Sequence, residues 1–382
     1  MQGGLISRLR IDQAQPEGAD RAATVTREAR LGGNLNLARS MEASSTRLDV
    51  SLDLPATGSQ AGRNVLGRLA LGQTVATTLD TFNAQLDVTA DDNRDEQRSA
   101  AEELIGRRRR TATSGNASWQ RQFDERASVQ ASLSAGRTGF GSGAATAEAF
   151  REAQWATSAS YRWDELLRLS LQVSRSRFRL DSGDSASTSD NLSLSASRAL
   201  SEISSVSASI GGYRSRRTTT LRGFACPLPV SFCQAGVVAR VPVVQEVQTP
   251  SSGTQYQLSY QHSLGERTAL SLSASRQLSG TGAGLVEAEN ASASLRHAVT
   301  PQLSWSLVGT RSSSSTPGAG SLPAPRVNAL EASLNWALAD RLALAASVGT
   351  RRFREPRAGT AFASTEISIT LQYLGPRIVS SR

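Results

Sequence analysis

Residues 330–346 read Leu330-Glu331-Ala332-Ser333-Leu334-Asn335-Trp336-Ala337-Leu338-Ala339-Asp340-Arg341-Leu342-Ala343-Leu344-Ala345-Ala346. Leu330, Ala332, Leu334 and Trp336 alternate with Glu331, Ser333 and Asn335. Successive side chains of a strand point to opposite faces, so this stretch predicts a strand with one apolar and one polar face. The polar turn Ala339-Asp340-Arg341 then sends the chain back as a second strand. The same reading holds outward along the chain. Leu192, Leu194 and Ala196 alternate with Ser193, Ser195 and Ser197; Tyr256, Leu258 and Tyr260 with Gln257, Ser259 and Gln261; Leu270, Leu272 and Ala274 with Ser271, Ser273 and Ser275.

Similar tight turns fall at Phe123-Asp124-Glu125-Arg126, Trp163-Asp164-Glu165, Leu200-Ser201-Glu202, Gly265-Glu266-Arg267 and Thr300-Pro301-Gln302. Between the hairpins lie longer Gly/Ser/Pro/Arg segments, such as Gly141–Glu148, Ser182–Ser189, Ser312–Pro325 and Glu355–Ala361. Hairpins recurring about every 40 residues demand a repeated architecture. Short turns on one side and longer loops on the other are the asymmetry of a transmembrane β-barrel. The pattern predicts about 18 strands between residues 3 and 374, or 16 if the first two are discounted. The expected fold is a single domain over 1–382, a closed antiparallel up-and-down barrel with 375–382 as a tail. The strands near Leu5–Gln13 and Ser364–Leu374 are expected to pair.

Composition narrows the field. Only 38% of the 382 residues are hydrophobic and 5% aromatic, too little for several conventional cores. All 42 basic residues are Arg, against 33 acids; a GC-rich codon bias accounts for this, and a nucleic-acid binder would need stacked aromatics amid its Arg residues, whereas these are interleaved with acids. A β-propeller would show closing Trp-Asp signatures, a β-solenoid a shorter period, and a sandwich larger inward residues. No run approaches 18 apolar residues, which excludes a transmembrane helix. Met1–Arg8 lacks the pattern of a secretory signal, which is expected to have been removed or to lie upstream.

The final strand, Ile367-x-Ile369-x-Leu371-x-Tyr373, resembles the C-terminal signal of Gram-negative outer-membrane β-barrels, although Leu374–Arg382 follow the aromatic. The Ser/Ala/Leu-rich repeats are similar to barrels associated with exopolysaccharide and exosortase systems. The resemblance implies a bacterial outer-membrane location, lipid and lipopolysaccharide as surroundings, and the barrel-assembly machinery as a partner. The narrower likeness adds polysaccharide-export components as partners.

With the apolar face toward lipid, the opposite parity points into the lumen. It carries Asp49, Asp53, Asp87, Glu152, Glu331 and Glu366 together with Arg68, Arg162, Arg168 and Arg296. Such a lining reads either as ion pairs bracing the wall or as a water-filled pore of mild selectivity. A barrel of this size holds an aqueous channel unless plugged, and the segment from Thr218 to Gly253 is long enough to fold inward as a constriction. It carries Cys226 and Cys233, candidates for a loop disulfide in an oxidising compartment. Arg107, Arg108, Arg109, Arg110, Arg175, Arg177, Arg216 and Arg217 lie near long-loop ends and are candidates for lipopolysaccharide phosphates. Trp119, Trp155, Tyr161, Trp163, Trp305 and Trp336 are candidates for interfacial girdles.

Catalysis finds no support: His262 and His297, the only histidines, have lipid-facing parity, and no cofactor or metal motif occurs. The expected function is passive passage of hydrophilic solutes. The alternatives are a conduit or accessory barrel in exopolysaccharide export and a structural or surface-interaction barrel without an open pore.

Overall fold

The computed structural model describes residues 2–16, 24–58, 65–91, 110–141, 148–225, 241–281, 284–316, 324–355 and 360–375. The strands are β1 Gln2–Pro16, β2 Thr24–Met41, β3 Ser44–Gly58, β4 Leu66–Ala76, β5 Asp80–Asp91 and β6 Arg110–Gln122. Then follow β7 Ala127–Phe140, β8 Phe150–Arg162, β9 Leu167–Leu180, β10 Ser185–Ser201, β11 Ser204–Ala225 and β12 Val241–Ser263. The last six are β13 Thr268–Thr281, β14 Gly284–Ala298, β15 Leu303–Ser315, β16 Arg326–Ala339, β17 Leu342–Glu355 and β18 Thr360–Leu374.

Each strand pairs antiparallel with its neighbour in sequence, and β1 closes the sheet on β18, from Gly4 opposite Leu374 to Pro16 opposite Phe362. Closure follows from the environment: in lipid an unpaired strand edge has no water to bond. The successive registers add to a stagger of about 22 residues round the wall, which for this many strands sets a tilt of roughly 40° and a backbone radius of roughly 17 Å.

The ladders sort the side chains into two faces. Leu171, Leu194 and Ile210 form one outward row across β9, β10 and β11, and Ile210 is 67% exposed. Dozens of large apolar side chains are exposed in this way around the wall, an arrangement that suits hydrocarbon and not water. Aromatic side chains gather on this face near the short-turn end: Phe82, Trp119, Tyr161, Tyr260, Trp305, Trp336 and Tyr373. His262 stacks on Tyr260 and His297 leans on Trp305 in the same belt. Trp155 stands further up the wall, seven residues from the end of β8.

At this end every connection has two to four residues, whereas the opposite end runs from two to eighteen. Carboxylates fold the short turns: Asp124 accepts the backbone N–H groups of Arg126 and Ala127 at 2.7 and 2.6 Å, and Asp164 those of Leu166 and Leu167 at 2.8 and 2.6 Å. In the turn at 264–267, Gly265 supplies a φ of 81°, where a side chain would be strained. The N–H groups of Ala127 and Arg126 hold the Asp124 carboxyl below its usual range. Its contribution to stability is therefore present above about pH 4 and lost as pH falls through the depressed value. We expect Asp124→Asn to flatten the acid limb of thermal unfolding measured in detergent between about pH 2 and 5, and a wild-type-like acid limb would refute the role of this turn.

The strands are longer than the alternation alone predicts. Ser185–Ser189 belongs to β10, leaving only 181–184 as connection, and Ser312–Ser315 belongs to β15. The segment from Thr218 to Gly253 is mainly strand: β11 and β12 continue as a two-stranded ribbon beyond the point where β12 leaves β13, at Tyr256 opposite Arg276. Residues 243–250 of that ribbon are exposed on both faces. Its β12 edge is unpaired there, so Pro250 takes a ladder position opposite Arg216. The expected inward constriction from this segment is not what its described residues form, and Cys226 and Cys233 lie outside the described residues.

Candidate channel lumen and its constriction

The registers put all ten expected lumen residues on one face of the sheet, opposite the face of the exposed leucines. One row runs Asn36–Asp49–Ala70–Asp87–Ser114–Gly136–Glu152–Phe178 across β2 to β9. Three carboxylates thus share a row, spaced by small residues. Arg68 bonds Asp87 at 2.6 Å. Asp49 takes Arg47 at 2.7 Å and the amide of Asn36. Asp53 approaches the backbone at Gly32. Arg162 and Arg168 are direct cross-strand partners near the short-turn end. Glu331 and Glu366 flank Gly349, and Arg296 lies between Ala269 and Ser306.

Serine supplies most of the remaining lining. Hydroxyls pair across strands at Ser128–Ser160, Ser170–Ser195, Ser207–Ser259, Ser273–Ser292, Ser306–Ser333 and Ser347–Ser368, all between 2.5 and 2.8 Å. Each hydroxyl is both donor and acceptor, so a pair satisfies itself along the wall and still offers a lone pair to water. The result is a small, uncharged, wettable surface over much of the circumference.

The long-connection half of the lumen is built differently. Above Arg276, β13 no longer pairs with β12, and the ends of β13 and β14 at Gly280 and Glu287 lie against the inner face of the wall. A Cβ built on Gly280 would stand 2.6 Å from the Phe178 ring and 3.6 Å from the Glu152 carboxylate, side chains of β9 and β8 that face the lumen. Only glycine allows that approach. Tyr213, inward on β11, donates its hydroxyl hydrogen to Glu287 on β14, and Arg276 bonds the same carboxylate at 2.6 Å. Gly253 opposite Tyr213 leaves room for this side chain, since a Cβ there would stand 2.6 Å from its hydroxyl oxygen and 2.7 Å from the ring. The inner face around Phe178 and Tyr213 is serine: Ser174, Ser187, Ser189 and Ser215 are all buried. The ends of β13 and β14 narrow the lumen from this side.

Strand parity alone puts Arg276, Gly280 and Glu287 on the lipid-facing side, so it misses this contact. The usable signal was charge: Arg276, Glu287 and Glu289 all occupy outward parity, where a charge in hydrocarbon is costly. Two of the expected lipopolysaccharide-contacting arginines have partners within the protein. Arg110 points inward and bonds Asp91 at 2.8 Å, and Arg217 points inward to the hydroxyl of Ser185 at 3.2 Å. Their neighbours in sequence are charged, but the pleat sends alternate residues to opposite faces. Arg175, Arg177 and Arg216 are outward, while Arg107, Arg108 and Arg109 lie outside the described residues.

No family model matches the chain, and no curated protein matches it by sequence. Solved structures match its fold. Pseudomonas aeruginosa OpdO aligns over 98% of this chain and 97% of its own, with a TM-score of 0.51 at 12% identity. Pseudomonas aeruginosa OccK2 (OpdF), solved in complex with glucuronate, aligns over 98% and 96%, with a TM-score of 0.50 at 13% identity. At such identity the likeness is one of fold. With the closed 18-stranded sheet and its apolar outer band, the chain has the barrel fold that these outer-membrane proteins share.

Proposed function

We propose that the protein is a passive channel for small hydrophilic solutes, with its long-connection end facing outside and its narrowest passage beside the β13–β14 hairpin. The observation that carries this reading is the inner wall: hydroxyl pairs and charges of both signs on a closed sheet whose bare radius leaves room for water. Because Arg68 is neutralised by Asp87 and Asp49 by Arg47, the charge preference should be weak. Liposome-swelling assays test this: neutral monosaccharides and a sugar acid such as glucuronate should enter at comparable rates, and entry of neither would overturn the reading. Asp87→Asn frees the Arg68 guanidinium in the lumen, and the reversal potential in a salt gradient should shift toward anions, by about twofold in permeability ratio.

Orientation follows from insertion from the periplasm, which leaves short turns behind. With Cys226 and Cys233 replaced by Ser, an impermeant maleimide on whole cells should label Ser182→Cys and spare Asp340→Cys; the reverse pattern would invert the assignment.

Burial of Phe178, Tyr213, Ser189 and Ser215 under the hairpin supports a second reading, a structural barrel whose pore stays shut. A folded protein that never conducts would establish it.

A further inference from the structure

The outward face changes chemistry along the barrel axis. Near the short turns it carries aromatic rings; toward the long connections it carries arginine. On β9, Arg175 and Arg177 continue the face of Leu171 and Val173, and on β11, Arg214 and Arg216 continue that of Ala208 and Ile210. The strand between them, β10, offers Asp190 and Thr188 to this face. The ladders align Arg175–Asp190–Arg214 in one row and Arg177–Thr188–Arg216 in the next. Asp190 is engaged by Arg175 at 2.6 Å. Arg177 and Arg216 are exposed, carry no ion pair among the described residues, and stand two strands apart, roughly 10 Å between backbones, with only the small Thr188 side chain between them.

A cation on a barrel's lipid-facing wall is costly at the bilayer centre, and that cost fades at the interface. The switch from Leu171, Leu194 and Ile210 to arginine therefore marks the headgroup level, where these guanidinium groups point sideways into the membrane and not up into solvent. Positive charge outweighs the single Asp190 in these two rows. A guanidinium fork matches phosphate oxygens, and the leaflet outside is built of a phosphorylated glycolipid. We infer that the outward face of β9–β11 binds the lipid A phosphate of lipopolysaccharide, Arg177 and Arg216 gripping it from both sides of Thr188. The acyl chains lie along the Leu171–Leu194–Ile210 row beneath. This rests on the orientation given under Proposed function, which the maleimide experiment tests separately.

The test uses the full-length protein extracted in mild detergent, with purified lipid A added and bound molecules counted by native mass spectrometry. Wild type should retain lipid A, and R177Q/R216Q should retain it about tenfold less well or worse. R217Q, altered at the adjacent but inward arginine, should behave as wild type. Lipid A stripped of phosphate should not be retained by any of them. Folding of each variant is verified by its heat-dependent electrophoretic shift. Equal retention by R177Q/R216Q, or of dephosphorylated lipid A by wild type, would overturn the proposal. Equal retention of phosphatidylglycerol would overturn the assignment to lipid A.

Discussion

Excising residues 278–287 and joining Gln277 to Ala288 through an Asn-Gly turn should raise single-channel conductance severalfold. The cut lies beyond the last β12–β13 pair, Tyr256 opposite Arg276, and gives up one β14–β15 pair, Glu287 opposite Ser315. Gln277 and Ala288 are already direct ladder partners, so a two-residue turn of a type favoured in hairpins can close them. The other ladders of the sheet are left in place, and the buried Ser174, Ser189 and Ser215 become lumen wall. Weaker interventions should give intermediate results. Tyr213→Phe deletes the hydroxyl that holds Glu287, and Gly280→Leu drives a side chain into the Phe178 ring. Both should loosen the tip and add larger, flickering conductance levels. Unchanged conductance after excision would show that the passage is limited elsewhere.

Charge on the outer wall should be far more damaging than charge on the inner one. Leu194 sits between Leu171 and Ile210 in the apolar band, and Leu194→Arg places a guanidinium in hydrocarbon at a cost of about 2–4 kcal/mol at the midplane. Most of that protein should fail to reach the heat-modifiable folded form. Ser273→Arg, one strand face away in the sense of pointing inward beside Ser259 and Ser292, should assemble at wild-type levels. If the two variants fold equally well, the assignment of faces is wrong.

The alternation of residues such as Leu330 with Glu331 was enough to read the strands, their number and their faces, because lipid on one side and water on the other impose a period of two along the whole wall. The ends of β11 and β12 were not legible for the same reason in reverse. Around Thr218–Thr220 and Gln245–Gln248 the ribbon has water on both faces, so alternation carries no information and strand looks like loop. The constriction was hidden because the β13–β14 hairpin keeps its pleat while its environment changes; Gly280 and Glu287 hold lipid-facing parity yet meet Phe178 and Tyr213. Runs of adjacent arginines misled in another way. Arg216 and Arg217 are neighbours in sequence but face the membrane and the lumen respectively, a split that parity reveals and proximity conceals.

The most direct test of the central claim is planar-bilayer recording of the refolded, heat-modifiable protein with neutral sugars of graded size in the bath. Discrete conductance steps are expected, reduced by small sugars and left untouched by sugars beyond a sharp size limit. Insertion of folded protein that leaves the bilayer silent would contradict it.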